Sequence, residues 1–158
     1  MNFDQPNNKE QISAARERLL SLEKEGKYVF HGSYERVEAL EPHQACGYDE
    51  ETGRHENDGE PAVFASTYAD CAIFRSLIHG KEFENKTGID DHDQLHFTAG
   101  QILMERAKDK IGYVYVLDKR KFGDFRGMDC RSPETVHPIE VIEVTFSDLP
   151  KGVKVIET

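Results

Sequence analysis

Lys27-Tyr28-Val29-Phe30-His31-Gly32-Ser33 is the stretch on which the reading of the fold turns. Tyr28, Val29 and Phe30 are strong strand formers, and Gly32-Ser33 ends the run. Just before it, KEQISAARERLLSLEKEG (residues 9–26) sets Ile12, Ala15, Leu19 and Leu22 at helical spacing, with Lys, Glu and Arg opposite. Asn7 or Asn8 can cap that helix, and Gly26 stands where a left-handed residue would end it. A helix apolar on one face only must pack on something larger, so residues 1–26 read as a helical arm on a core of residues 27–158.

Downstream, Pro42 stops regular structure, and residues 43–60 have no apolar period, which predicts a long loop. PAVFAS (61–66) is a second short strand. Thr67 or Asp70 can cap the helix after it, which carries Cys71, Phe74, Leu77 and Ile78 on one face and stops at His79-Gly80. Residues 81–94 read as a charged loop, and 95–110 as a short strand and a turn of helix. GYVYVLD (112–118) is the clearest strand, and 119–134 reads as irregular. TVHPIEVIEVTF (135–146) is a strand whose Pro138 implies an edge or a bend, and GVKVIE (152–157) closes the chain as a strand. Without regular strand–helix alternation, the order predicts a single α+β domain on mostly antiparallel strands.

The 158 residues can bury a core without staples, and the three cysteines, Cys46, Cys71 and Cys130, are too few and too scattered for a disulfide framework. Together with a polar, acidic start that excludes a signal peptide, this predicts a cytoplasmic protein. No apolar run reaches the roughly 20 residues of a membrane span. The formal net charge of −10 repels polyanions on average, which argues against general nucleic-acid binding but leaves room for a local basic pocket.

Several catalytic signatures are missing, among them the P-loop, GxGxxG after a strand, HExxH, CxxC and GxSxG. His31-Gly32-Ser33 stands out instead: a histidine at the lip of a sheet, a glycine that admits close approach to the backbone, and a short hydroxyl. Taken alone, the tripeptide fits equally a turn with a surface histidine. Two later features join it, Val63-Phe64-Ala65-Ser66-Thr67 running into a helix near Ala69-Asp70, and Arg131-Ser132-Pro133-Glu134 before the strand at 135–146.

In that order these pieces resemble the ADP-ribosyltransferase superfamily, especially small bacterial members such as the rifampin ADP-ribosyltransferases. The resemblance spans about Tyr28 to Val144. It implies a split antiparallel sheet with one helix after the second core strand, and NAD as co-substrate without a metal. It further implies that His31 bonds the nicotinamide ribose, Gly32 lends its backbone to the nicotinamide amide and Ser33 supports that turn. Ser66 and Thr67 would line the nicotinamide side, with Phe64 or Tyr68 stacking on the ring. Glu134 would be the catalytic acid, although Asp124 and Asp129 fall in the same window. A carboxylate there would stabilise the positive charge that develops on the ribose. The acceptor, a small molecule, a protein or a nucleic-acid end, is left open. So is a second reading, a nucleotide-binding or interaction module that has lost catalysis, because relatives usually carry tyrosine where Phe64 stands.

Other clusters have plainer readings. His43, Cys46 and His55 match no common zinc spacing, and Asp90-Asp91-His92-Asp93 with His96 reads as a solvated turn. Cys71 reads as core, and Cys130 has no partner base in the sequence.

Overall fold

A computed structural model of the chain describes residues 12–44, 46–49, 54–57, 59–80 and 85–157. At its centre β1 (Tyr28–Ser33) runs beside β7 (Ile111–Asp118), in register from Tyr28 opposite Asp118 to Ser33 opposite Tyr113. The other flank of β7 takes the edge strand β10 (Glu140–Thr145), just past Pro138 as the sequence predicts. On its free side β1 meets β4 (Val63–Ser66), which continues to β9 (Asp129–Ser132) and β8 (Gly123–Arg126). All these pairs are antiparallel. The β1–β4 junction holds one register pair, Phe30 opposite Ser66, so two three-stranded halves meet at a single rung.

The expected α+β architecture on mostly antiparallel strands is therefore present, with three α-helices among the described residues. α1 (Ala14–Lys24), α2 (Ala69–Leu77) and α3 (Gln101–Ala107) contribute Leu19, Phe74, Leu77 and Leu103 to one core cluster, against Phe30, Val114 and Val116 of the sheet. The opposite face buries Val29, Val63, Ala65, Tyr115 and Leu117 in a second cluster. β7 is thus covered on both faces, which is why it reads as an unbroken apolar run. No helix among the described residues is long and apolar enough to cross a membrane.

The helical arm is tied down by charge as well as by Leu19 and Leu22. Arg16 grips Asp70 with two bonds of 2.8 Å, and Arg18 reaches Glu140 at 2.8 Å. Ser13, rather than Asn7 or Asn8, caps α1 by accepting the N–H of Arg16; those asparagines lie outside the described residues. Gly26 has the left-handed φ of 72° expected of it. The cap of α2 also differs from expectation, since neither Thr67 nor Asp70 supplies it. Glu23 does so from α1, its Oε1 accepting the N–H of Ala69 at 2.7 Å, while Asp70 is committed to Arg16.

Three stretches expected to be irregular contain strands. Within 43–60, β2 (Cys46–Asp49) and β3 (Arg54–Asn57) form an antiparallel ribbon. In 81–94, β5 (Asn85–Ile89) pairs with β6 (Leu95–Gly100), whose other side takes β11 (Lys154–Ile156) in parallel. In 119–134, β8 and β9 make a hairpin turned at Gly127, with φ of 59°. β8 is exposed throughout and β5 has no fully buried residue, so neither segment carries the apolar alternation that marks a half-buried strand.

Candidate functional site

Beside the single rung, β1 and β4 part and the side chain of His31 enters the gap. Its Nδ1 lies 2.6 Å from the carbonyl oxygen of Phe64. A carbonyl only accepts, so Nδ1 carries the proton and Nε2 is left as an acceptor. Nε2 has no hydrogen-bond partner among the described residues and is not sealed from solvent. Burial, with smaller contributions from Arg75 and His43, holds the imidazole below its ordinary pKa, against the opposing effect of the Phe64 bond. The ring is therefore neutral at pH 7, with one nitrogen fixed and the other open.

That ring lines a groove of about 690 Å³, together with Ser33, Leu40, His43, Val63 and Phe64. The remaining wall is the segment after β1, held in place by Tyr115. This tyrosine is fully buried, and its hydroxyl donates to the carbonyl of Glu35 at 2.6 Å and accepts the N–H of Val37 at 2.7 Å. Its ring also meets that of His31 edge-on, with 6.0 Å between centroids. Sequence reasoning missed Tyr115, although a tyrosine inside a buried strand signals that its hydroxyl has found a partner. Ser33 accepts the N–H of Glu35 at 3.0 Å, a local turn bond.

The other expected site residues lie elsewhere. Gly32 turns its Cα hydrogens towards α2: a Cβ there would collide with the backbone carbonyl of Ala72, so the close approach of the helix requires the glycine. Ser66 is fully buried, donating to the carbonyl of Met128 and accepting the N–H of Tyr68. Thr67 donates its N–H to the same Met128 carbonyl, and Tyr68 packs on the helix-side core. None of these three lines the groove, and neither does Glu134, which is exposed. Asp129 pairs with Arg75 at 3.0 Å, and Asp124 with Arg126 and Arg131. The carboxylates that do line the groove are Glu35, Glu38 and Glu41, which the sequence had not singled out.

Among the described residues the lining includes no lysine or arginine. The guanidinium of Arg131 sits 4.9 Å from the centroid of the Phe64 ring, and the residue lines a neighbouring cavity of about 350 Å³. Ala62 lines both.

No family model, curated protein or solved structure matches this chain.

Among the described residues no group of three or more His, Cys, Asp or Glu side chains is placed to hold a metal ion; the side chains of Cys46 and His55 lie outside them. Asp90 spends Oδ1 on the N–H groups of His92 and Gln94, closing the β5–β6 turn. Cys71 and Cys130 are buried, and burial raises both thiols, Cys130 to about 12, which keeps them protonated.

Proposed function

We propose that the groove binds NAD and that the chain works as an ADP-ribosyltransferase-like enzyme, breaking the nicotinamide–ribose bond. The observation that carries this is the fixed tautomer of His31. A neutral imidazole anchored through Nδ1 offers Nε2 to a hydroxyl donor, and a ribose hydroxyl is such a donor. Phe64 supplies an aromatic ring beside it, which suits the nicotinamide. With no lysine or arginine in the lining among the described residues, the phosphates extend past Ala62 towards Arg131. A carboxylate at the developing cationic ribose comes from Glu35, Glu38 or Glu41 in place of Glu134.

A second reading has its own support. Ser66 and Glu134 stand outside the groove, as expected of a module that binds a nucleotide without cleaving it. One titration separates the two. Purified protein is mixed with NAD while melting temperature and free nicotinamide are followed, with His31→Ala and Gln variants of the three groove glutamates alongside. A melting shift lost in His31→Ala, with release lost in one glutamate variant, supports the enzyme. A shift without release supports the module, and neither signal rejects an NAD site.

A further inference from the structure

A second cavity, of about 650 Å³, lies at the other end of β1, where it is lined by Lys27, Tyr28, Lys119, Arg120, Phe125 and Ile139. Tyr28 is three residues from His31 along the strand, about 10 Å, and the two cavities share no lining residue. Three cations face one carboxylate here, that of Asp118, in a chain whose net charge is −10. Asp118 is already committed. It accepts from Arg120 at Nε (3.1 Å), at Nη2 (2.8 Å) and at the backbone N–H (2.9 Å). Lys27 and Lys119 are in no ion pair among the described residues. They are also held together: Tyr28 and Asp118 are register partners, and the N–H of Lys119 donates to the carbonyl of Lys27 at 3.0 Å.

The wall beside them is apolar and open. Phe125 is 45% exposed and Ile139 57% exposed, two of the few large apolar side chains left uncovered. Lys119 Nζ lies 5.6 Å from the centroid of the Phe125 ring, so a cation and an aromatic surface converge on one volume.

We propose that this cavity is a separate binding site for a small ligand joining an anionic group to a planar ring, the chemistry of a nucleoside monophosphate. The anion sits on Lys27 and Lys119, and the ring lies on Phe125 and Ile139. A compact anion is favoured over a polymer because the local lysines govern a small ligand, whereas a long polyanion meets the field of the whole acidic chain. The proposal does not depend on the chemistry at His31.

The test is a calorimetric titration with adenosine 5′-monophosphate, with adenosine and inorganic phosphate as separate arms. The expected result is tighter binding of the monophosphate than of either fragment. It should weaken about tenfold in Lys119→Ala and further in the Lys27→Ala, Lys119→Ala double variant, each lysine being a charge-assisted contact. Phe125→Ser should weaken the monophosphate and leave phosphate unchanged, whereas His31→Ala should alter neither. Circular dichroism checks that each variant is folded. No binding at millimolar monophosphate, binding indifferent to both lysines in folded variants, or binding lost in His31→Ala would each overturn the proposal.

Discussion

Gly32 on β1 and Ala72 on α2 are so close that no side-chain atom fits between the strand and the helix backbone. Gly112 on β7 has the same relation to Ser76, one turn further along α2, so the helix lies in a trough floored by two glycines. At Gly32 the obstacle is backbone, and at Gly112 it is chiefly a side chain that can turn.

Gly32→Ala should therefore be the costlier change. Overpacking of this kind costs about 1–3 kcal/mol, and a backbone clash belongs at or beyond the upper end. Gly112→Ala should lose less. Urea unfolding of the two variants beside the parent protein checks the order, and equal losses would show that α2 shifts as freely from either glycine.

Acid should weaken the fold through His31. Because burial lowers its folded pKa, the unfolded chain takes up a proton at higher pH than the folded one. The stability of the neutral ring is complete above the ordinary value of about 6.5 and declines as pH falls through the window below it. His79, lowered mainly by burial, adds to the same slope. Melting temperature recorded from pH 8 to pH 5 should fall on acidification, and less steeply in His31→Asn. NAD affinity should fall over the same range, since protonated Nε2 no longer accepts.

Tyr115→Phe removes one hydroxyl and strands two backbone groups, the carbonyl of Glu35 and the N–H of Val37. A cost of about 1–3 kcal/mol is expected. The wall of the groove should loosen, so hydrogen exchange at Val37 should quicken and NAD binding weaken while the core strands stay protected.

Glu23→Ala should cost about 1 kcal/mol, the usual value of a lost helix cap, although its carboxylate caps α2 from another helix. Glu23→Gln should cost less, because it keeps an acceptor for Ala69 and removes a charge that burial disfavours, burial being the main reason this carboxyl sits above its ordinary pKa. Thermal melts of the two variants distinguish capping from charge.

The strands at 28–33, 63–66 and 111–118 and the helices at 14–24 and 69–77 were readable because each buries a face, and burial imposes a period on the residues. β5 and β8 were missed because strands that bury little carry no such period. Of the residues singled out beforehand, His31 and Ser33 came from local motif chemistry and Phe64 from the resemblance, and the three line one groove. At Gly32 the sequence shows that a glycine is needed but not that α2 packs against it. Glu35, Glu38 and Glu41 were overlooked because their position depends on Tyr115, 80 residues from Glu35 in the chain.

The lone rung between Phe30 and Ser66 has a mechanical meaning. Where strands are laced along their whole length, any widening must break several ladder bonds at once, and the sheet moves as a plate. Here the ladder gives one pair, and what joins the halves beyond it is the His31 bond to the Phe64 carbonyl and the apolar contacts of the second core cluster, which can slide where ladder bonds would have to break.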